Sequence, residues 1–290
     1  MKVLVTGATG YIGAHVCKQL HQAGHNVIAI DKTFHQNNIV KYCTDLIKFN
    51  IGFEPWMGAP LKVDAVIHLA AYISVEESTQ HAVDYYENNI RSCRYTLTEF
   101  VEYKHFIFAS TGAAFDPQNP YAISKIVSEA YVKEIAFNCH TIFRFFNVSG
   151  LDTEFSPTGT PTHLIRRAAM AARGKIPALT IFGSDFDTRD GTCIRDYVHV
   201  IDLANTIVRV VEAGPQNTPY ECVGSGTGFT VKEIIHAMEA VTGQTLNTNI
   251  GLRRAGDAPI TLTPSVTKFM KTEHSIGDMC RSAYEFEGRT

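Results

Sequence analysis

The chain has 290 residues, of which 45% are hydrophobic and 19% are charged, and its formal net charge is −3. At roughly 150 residues per domain, this length predicts two domains or one large α/β unit with a sizeable core. The composition excludes intrinsic disorder, collagen and coiled coil. Because basic and acidic residues are nearly balanced and mixed along the chain, no nucleic-acid-binding surface is expected.

The cysteines and the start of the sequence favour a cytoplasmic protein. Seven cysteines stand at least 26 positions apart, a spacing that forms neither a zinc motif nor a disulfide framework and suits a reducing compartment. His21 and His25 lack a neighbouring carboxylate cluster, so no metal site is expected. The first residues lead directly into a strand, which argues against a signal peptide. No apolar run reaches the length of about 18 residues that a membrane span requires.

The first half of the chain alternates short apolar runs with amphipathic stretches. We predict strands at 2–6, 26–30, 65–69, 105–110 and 141–144, and helices at 11–23, 83–103 and 121–137. Gly24 follows the first of these helices in the position of a C-cap. Apolar strands that alternate with helices predict a parallel sheet buried on both faces, and therefore an α/β fold.

The second half has a different texture. The segment 150–161 is rich in glycine, proline, serine and threonine, which is typical of a loop or a domain junction. A basic helix at 163–173, a strand with an irregular segment at 179–200 and a helix at 201–212 are predicted after it. Ten of the 13 arginines come after residue 148. Their planar guanidinium groups suit an anionic substrate, although an exchange of surface lysine for arginine would give the same count.

Three glycines in the motif GATGYIG, Gly7, Gly10 and Gly13, lie between the first predicted strand and the first predicted helix. Glycine there permits a tight turn, and the helix N-terminus offers unpaired N–H groups to a pyrophosphate. Asp31 lies 18 positions after Gly13, at the end of the second strand, where a carboxylate accepts hydrogen bonds from an adenosine ribose. Because the same carboxylate repels a 2′-phosphate, the motif predicts NAD rather than NADP.

Tyr121 and Lys125 form a YxxxK pair, which places both side chains on one face of a helix. A free phenol has a pKa of about 10, and we expect Lys125 and a bound nicotinamide to lower the pKa of Tyr121 so that it acts as a base. Ser110 and Thr111 end the preceding strand and supply hydroxyls for a reacting oxygen. Such pairs are common on helix surfaces, but the position of this one after a dinucleotide motif favours catalysis.

With these motifs the sequence resembles the extended short-chain dehydrogenase/reductase family, and within it the UDP-glucose (UDP-galactose) 4-epimerases. The resemblance rests on GATGYIG, HLAA (68–71), YYENN (85–89), PYAISK (120–125), RFFN (144–147), the segment 181–204 and RRAGD (253–257). It implies a Rossmann-type doubly wound parallel sheet in residues 1–148, to which later segments can return, and a smaller, reduced UDP-sugar-binding α/β domain in residues 149–290. It also implies NAD-dependent C4 epimerisation of a UDP-hexose through a transient 4-keto sugar, in a homodimer.

The resemblance further implies roles for individual residues. Tyr121 would be the base, Lys125 would hold the nicotinamide ribose, and Thr111 would be the catalytic hydroxyl. Besides Tyr121 and Lys125, the residues implied in cofactor binding are Gly7, Gly10, Tyr11, Ile12, Gly13, Asp31, Asp45, Leu46, Leu69, Ala70, Ala71, Asn88 and Phe146. The residues implied in UDP-sugar binding are Thr111, Asn147, Arg195, Arg254, Asp257 and Thr261.

Four positions depart from the pattern of the family. Ala113, in the run 112–115, replaces a second hydroxyl, and Ile73 replaces a lysine near the cofactor. His163 replaces an asparagine that contacts the nucleotide. Thr261 stands where stricter members carry a bulky tyrosine, and the room it leaves predicts activity on UDP-N-acetylglucosamine as well.

Other functions of the same fold stay open at this point. A sugar-nucleotide 4,6-dehydratase needs an acid directly after the catalytic threonine, where Gly112 and Ala113 stand. A non-catalytic dinucleotide-binding regulator typically lacks the tyrosine–lysine pair that this sequence has. A simple NADP-linked reductase is disfavoured by Asp31.

Overall fold

The structure is a computed structural model that describes residues 1–155, 162–254 and 257–289. The chain forms two compact units. Unit 1 consists of Met1–Phe145 and Ala204–Cys222, and unit 2 consists of Phe146–Leu203 and Val223–Thr290. The segment 204–222 is therefore a later part of the chain that returns to unit 1. The predicted junction at 150–161 and the motif at 253–257 lie partly outside the described residues.

Unit 1 is built around a parallel sheet. Its strands are β1 (Lys2–Thr6), β2 (Asn26–Asp31), β3 (Asp45–Lys48), β4 (Leu61–Lys62), β5 (Ala65–His68), β6 (Val101–Glu102), β7 (His105–Thr111) and β8 (His140–Phe145), joined by β12 (Glu221–Val223). Among the described residues, seven of these strands form one sheet in the order β12-β8-β7-β5-β1-β2-β3. Every pairing from β8 to β3 is parallel. The predicted doubly wound parallel sheet is confirmed.

The strands of unit 1 are buried because helices cover the sheet. The helices of this unit are α1 (Tyr11–Gln22), α2 (Val75–Gln80), α3 (Ala82–Thr98), α4 (Pro120–Ile135) and most of α6 (Val200–Ala213). Leu4, Val66 and Phe106 are fully buried in the core cluster that lies under them. Continuous apolar strands of this kind are expected when both faces of a parallel sheet are covered.

The order of the strands creates a switch point beside β1. This strand pairs with β2 on one side and with β5 on the other. The chain therefore leaves the carboxyl ends of β1 and β5 in opposite directions, and doubly wound folds bind their ligands at such a point. Unit 1 places the glycine-rich loop there, because Gly7 directly follows β1.

Some elements differ from the prediction. The helix expected over 83–103 ends at Thr98 and is followed by β6. The sequence patterns also did not predict β3 or β12, which are short and lie at the two edges of the sheet. In the part of the chain that the structure describes, no helix combines the length and apolarity needed to cross a membrane.

Unit 2 is a smaller α/β unit centred on one strand. Its elements are β9 (Asn147–Ser149), α5 (Leu164–Ala172), β10 (Leu179–Phe182), β11 (Ile194–His199), β13 (Gly228–Thr230), α7 (Val231–Thr242), β14 (Thr248–Gly251), β15 (Ile260–Thr261) and α8 (Ile276–Glu287). β11 pairs in parallel with β9 and β15 and antiparallel with β13. β10 pairs in parallel with β14.

The three helices of unit 2 share one apolar core. Ile165 of α5, Ile234 of α7 and Met279 of α8 are all buried in it. Both α7 and α8 begin with a capping box, in which a hydroxyl side chain and an acidic side chain three residues later satisfy each other's backbone N–H groups. These two helices were not predicted, although their capping boxes are visible in the sequence.

Candidate active site

The glycine-rich loop after β1 is packed too closely for side chains. Gly7 has a φ of +65°, and a Cβ there would lie 2.9 Å from the backbone nitrogen of Ala70. A Cβ at Gly13 would lie 2.2 Å from the carbonyl oxygen of Gly7. Gly10 is the N-cap of α1, and its N–H donates to the same carbonyl at 3.1 Å. The loop therefore requires glycine at Gly7 and Gly13, and its backbone can approach a ligand closely.

The start of α1 and the end of β2 suit the two ends of a dinucleotide. Among the described side chains none caps α1, and its first turn carries no acidic residue, an arrangement that suits a pyrophosphate. The Oδ2 atom of Asp31 accepts hydrogen bonds from the backbone of Thr9 at 3.0 Å and from its hydroxyl at 2.9 Å. The Oδ1 atom accepts a longer bond of 3.4 Å from the backbone of Thr33, which leaves capacity for ribose hydroxyls. These residues fit NAD.

The other residues predicted to contact the cofactor lie on several elements of unit 1 and at the start of unit 2. Tyr11 and Ile12 open α1, Asp45 and Leu46 open β3, Leu69, Ala70 and Ala71 follow β5, and Asn88 lies on α3. Phe146 is the first residue of unit 2, and its N–H donates to the carbonyl of Val223 at 3.1 Å. Their contact with NAD stays a prediction.

Asn89, one residue after the predicted Asn88, fixes the loop that follows β5. Its buried amide accepts from the backbone N–H of Tyr72 at 2.7 Å and donates to the backbone carbonyl of Tyr72 at 3.0 Å. The same amide donates to the hydroxyl of Ser124, directly before Lys125, at 3.0 Å. One side chain therefore links the predicted cofactor loop to the helix that carries the YxxxK pair. The available sequence signal was the second asparagine of YYENN.

Two adjoining elements of unit 1 carry the predicted catalytic residues. Tyr121 and Lys125 lie on α4, whose first turn is capped by the side chain of Asn119. Thr111 is the last residue of β7, and its side chain lies close enough to Tyr121 to act on the pKa of the phenol. The Nζ atom of Lys125 donates to the carbonyl of Ala109, in the same strand, at 2.8 Å. The structure thus brings the three predicted residues together at the carboxyl end of β7.

Burial sets the protonation of the two ionisable side chains. It raises the pKa of Tyr121 to about 12, while the hydrogen bond with Thr111 acts in the opposite direction. Burial likewise lowers the pKa of Lys125 to about 8, against opposing effects of Cys93 and Glu129. The expectation that Lys125 lowers the pKa of Tyr121 is therefore wrong for the chain alone. Burial dominates there, and the ammonium group bonds to a backbone carbonyl.

His68 of the HLAA motif is a buried group that the sequence indicated only through the resemblance. Its ring stacks against Phe106 and Phe108, and its Nδ1 atom lies 3.0 Å from the hydroxyl of Thr6. Burial, together with the charge of Lys125, lowers its pKa to about 3, so the imidazole is neutral at physiological pH. The hydroxyl of Thr6 also accepts from the backbone of Ala70 at 3.2 Å. This cluster ties the end of β1 to the loop after β5.

Three of the four positions that depart from the family pattern, Ala113, Ile73 and His163, lie in a turn, on the surface and at the start of a helix. Gly112–Phe115 forms a short 3-10 turn, and the N–H of Ala113 donates to the hydroxyl of Thr111 at 3.2 Å. The side chain of Ala113 offers only a methyl group, so the second hydroxyl of the pattern has no replacement at this position. Ile73 is 66% exposed, and His163 is the N-cap residue of α5.

In unit 2, four of the predicted UDP-sugar residues lie around β11. The Nη2 atom of Arg195 lies 3.3 Å from the Oδ1 atom of Asp257. Thr261 of β15 is the register partner of Arg195. Asn147 of β9 donates its side-chain amide to the carbonyl of Asp196 at 3.1 Å. The strand therefore gathers a guanidinium group, a carboxylate, an amide and a small hydroxyl.

Arg254, the remaining predicted residue of unit 2, packs against β10 instead. Its guanidinium group lies 3.9 Å from the ring centre of Phe182. The neighbouring Arg253 lies 4.2 Å from the ring centre of Phe186 and donates to the carboxylate of Asp185 at 2.8 Å. Two guanidinium groups thus lie on aromatic rings with their outer edges in solvent, an arrangement that suits an anion or a flat base.

Asp196, next to Arg195, is a fully buried carboxylate that was not predicted. It accepts hydrogen bonds from the backbone and hydroxyl of Ser225 at 2.7 and 2.8 Å and from the backbone of Gly226 at 3.0 Å. It also accepts from the hydroxyl of Thr263. Because side chains alternate along a strand, this hub holds β11 from one face while Arg195 occupies the other. The signal in the sequence was an acidic residue within the strand-forming run 194–199.

Residues 3–222 match the family described as NAD dependent epimerase/dehydratase. The chain belongs to this family. The UDP-glucose 4-epimerase of Azospirillum brasilense is 35% identical to this chain in an alignment of 288 positions that covers 89% of this chain and 82% of the relative. The family resemblance inferred from the motifs is confirmed.

Solved structures of the family have the same fold. A UDP-glucose-4-epimerase from Stenotrophomonas maltophila with bound NAD and formylated UDP-arabinopyranose superposes with a TM-score of 0.89 at 28% identity, over 100% of this chain and 98% of that one. A UDP-Glc/GlcNAc 4-epimerase from Campylobacter jejuni superposes with a TM-score of 0.79 at 29% identity, over 100% of this chain and 99% of that one.

Proposed function

We propose that the protein catalyses the NAD-dependent epimerisation of a UDP-hexose at C4, as an isomerase. The observation that carries the proposal is the placement of Tyr121 and the buried Lys125 on α4 against the carboxyl end of β7, where Thr111 lies and where Nζ of Lys125 donates to the carbonyl of Ala109 at 2.8 Å. Inversion at a carbon that bears a hydroxyl needs a base for the hydroxyl proton, and Tyr121 is suited to that role. NAD, when bound, supplies the reversible oxidation of C4.

Each catalytic residue has a distinct task in this proposal. Tyr121, as phenolate, removes the proton of the sugar 4-hydroxyl and returns it after the 4-keto sugar has presented its other face. Thr111 donates a hydrogen bond to the reacting oxygen and holds it beside the phenol. Lys125 binds the nicotinamide ribose and supplies a positive charge. Since burial raises the pKa of Tyr121 to about 12, positive charge at the site is needed to form the phenolate at neutral pH.

Asp31 supports NAD over NADP as the cofactor. Its carboxylate is held by Thr9 at the end of β2, with one oxygen accepting only a long bond among the described residues. Such an oxygen accepts a ribose hydroxyl and repels a 2′-phosphate. We propose that unit 1 binds the dinucleotide through Asp31, the glycine loop and the residues around it.

The residues of unit 2 support a substrate that is bound through a nucleoside diphosphate group. Arg195 and Arg254 provide guanidinium forks for the phosphates, and Asp257 provides a carboxylate for ribose hydroxyls. Asn147 contributes an amide beside the same strand. An epimerase of this kind must hold the nucleotide firmly and the sugar loosely, because the 4-keto sugar has to turn over.

Thr261 supports a wide sugar pocket. It is the register partner of Arg195, so a small side chain stands beside a residue proposed to bind the diphosphate. We therefore propose activity on UDP-N-acetylglucosamine and UDP-N-acetylgalactosamine in addition to UDP-glucose and UDP-galactose. The similarity to the Campylobacter jejuni UDP-Glc/GlcNAc enzyme is consistent with this range.

The assay that tests the proposed function uses the purified protein and the two sugar pairs. We expect UDP-galactose to give UDP-glucose, and the N-acetyl forms to interconvert, without net accumulation of NADH. A 4,6-dehydratase would release water and form a 4-keto-6-deoxy sugar, and a regulator would bind NAD without turnover. Either of these results would refute the proposal. A strict preference for UDP-glucose and UDP-galactose would refute only the pocket-size part.

Replacement of Tyr121 separates chemistry from cofactor binding. Tyr121→Phe should lower kcat by about 10²–10⁴-fold, because general acid–base catalysis contributes that much, while NAD binding is preserved. Tyr103→Phe is the matched control, since Tyr103 is another half-buried tyrosine of unit 1 whose hydroxyl donates to the carbonyl of Leu97. Near-normal turnover in Tyr121→Phe, measured with the same two sugars, would contradict the assignment.

We also propose that the protein is a cytoplasmic homodimer that pairs through α3 and α4. A surface groove of about 450 Å³ runs along these helices, between Ile90 and Arg91 of α3 and Tyr131 of α4. Ile123 and Ile135 of α4 are 38% and 41% exposed, and the resemblance implies a dimer of this kind. Sedimentation analysis of the wild type and of Ile135→Glu tests the proposal, which requires that the substitution lowers the molecular mass to that of a monomer.

A further inference from the structure

Glu129 is a buried carboxylate that the proposed reaction does not use. It lies on α4, one turn after Lys125 and two turns after Tyr121, and it is 2% exposed. Its Oε1 atom accepts from the hydroxyl of Ser110 at 2.6 Å and from Nε of Arg144 at 2.9 Å. Its Oε2 atom accepts from Nη2 of Arg144 at 2.8 Å. Because Ser110 of β7 and Arg144 of β8 are register partners, one carboxylate fastens α4 to two neighbouring strands.

Arg144 makes a second connection on its other side. Its guanidinium group lies 4.6 Å from the ring centre of Phe115 and 4.1 Å from that of Tyr220. Phe115 ends the 3-10 turn Gly112–Phe115, which begins directly after Thr111 and is capped by its hydroxyl. Arg144 therefore contacts both the helix of Tyr121 and the turn that Thr111 caps.

Stability alone does not explain a buried pair of this kind. Removing two charges from water is costly, and apolar replacements of buried ion pairs are often neutral or stabilising. The pair supplies geometric specificity, because a bidentate guanidinium–carboxylate contact fixes both the distance and the orientation of its partners. Apolar packing of α4 on the sheet would leave the helix more freedom to slide or rotate.

We propose that Glu129 and Arg144 are positioning residues that set the register of α4 against the turn 112–115. This register brings the start of α4, which carries Tyr121 and Lys125, to the end of β7, where Thr111 lies. The inference rests on the proposed function for its kinetic consequence. A displacement of about 1 Å at a reacting centre can cost about 100-fold in rate, so a pair that acts through Tyr121 and Thr111 affects kcat more than the binding of the nucleotide.

Two variants and a control test the inference. Glu129→Gln breaks the pair and leaves Arg144 without its counter-charge, whereas the double variant Glu129→Leu/Arg144→Met removes both charges and keeps the volume. Glu287→Gln is the matched control in unit 2. Glu287 is 4% exposed and accepts from Arg166 at 2.9 Å and from Lys175 at 3.0 Å.

The kinetic readout separates positioning from folding. We expect Glu129→Gln to lower kcat by about 10- to 100-fold, with KM for the UDP-sugar changed by less than about threefold. The double variant should melt near the wild-type Tm, since an apolar pair replaces a desolvated ion pair, and its kcat should stay low. The control should lose stability and keep its kcat. Recovery of kcat together with Tm in the double variant would overturn the inference.

Amide hydrogen exchange gives a readout that needs no turnover. In the folded double variant, exchange over residues 111–125 should be at least about tenfold faster than in the wild type, with no such change in the control. Unchanged exchange there would overturn the inference. If the wild type converts no UDP-sugar, the proposed function fails, and the exchange result alone decides whether Glu129 and Arg144 hold α4 and the turn in place.

Discussion

The predicted ligand-binding sites of unit 1 and unit 2 are formed in different ways. In unit 1 the backbone forms the site, because Gly7 and Gly13 bring main-chain atoms so close together that a Cβ at either would clash. In unit 2 the side chains form it, through the contact of Arg195 with Asp257 and the position of Arg254 on an aromatic ring. The close-packed backbone of unit 1 can adopt one conformation, whereas the side chains of unit 2 can adopt several rotamers.

This difference indicates which unit can change its ligand specificity through substitutions. A site made of close-packed backbone cannot be altered by small substitutions, since an added side-chain atom displaces the main chain. A site made of partly exposed ion pairs adjusts easily, because each such pair contributes little to stability and can be exchanged. We therefore expect cofactor identity to be fixed by unit 1 and substrate preference to vary through unit 2.

The largest expected effect comes from adding a single methyl group to unit 1. In Gly13→Ala the new Cβ would lie 2.2 Å from the carbonyl oxygen of Gly7, so the loop must shift. We expect NAD affinity to fall by at least about 100-fold, which corresponds to about 2.7 kcal/mol, in a calorimetric titration. Gly277→Ala, in the first turn of α8, is the matched control because its Cβ would meet only the hydroxyl of Ser275 at 3.5 Å. Retention of normal affinity in Gly13→Ala would remove the contrast between the units.

A smaller effect is expected from losing a charged side chain in unit 2. Arg195→Ala should raise KM for the UDP-sugar by about 10- to 100-fold, since hydrogen bonds to charged groups contribute about 1.5–3 kcal/mol, while kcat changes much less. Arg189→Ala is the control, because Arg189 is an exposed arginine of the same unit that pairs with Glu233. Steady-state kinetics with UDP-galactose measure both. A loss confined to kcat would show that Arg195 acts on the chemistry and not on nucleotide binding.

The smallest expected effect is a pH dependence within unit 1. Burial lowers the pKa of Lys125 to about 8, so its positive charge is present below that pH and is lost as the pH rises through it. If the charged form binds the ribose, NAD affinity falls above pH 8 by up to about tenfold per pH unit. Lys125→Met should bind weakly at every pH and show a flat profile. The same slope in Lys125→Met would assign the titration to another group.

The sequence predicted the cofactor half of unit 1 because its signals are local. The strand of Leu4, the glycines after it and Asp31 follow one another within 31 residues, and each has a direct physical meaning. The YxxxK spacing likewise placed Tyr121 and Lys125 on one helix face. The pKa of Tyr121 was not predictable in this way, because it depends on how deeply the folded chain buries the phenol.

The parts that escaped prediction depend on contacts between distant residues. β12 reaches the edge of the sheet beside β8 although about 75 residues separate their ends in the chain. Asp196 and Asn89 each form hydrogen bonds with residues on other elements. The sequence pattern does not show which residues these partners are. The capping boxes of α7 and α8 are different, since each is a local pattern of two residues three positions apart that the sequence itself contains.

The return of residues 204–222 to unit 1 has a consequence for synthesis. Tyr220, which covers the guanidinium group of Arg144, and β12, the edge strand beside β8, both come from this late segment or its end. A nascent chain of which only the first 148 residues have left the ribosome therefore lacks the edge strand β12 and the ring of Tyr220 that covers Arg144. Folding of unit 1 during translation must therefore wait until the first segment of unit 2, Phe146–Leu203, has also been made.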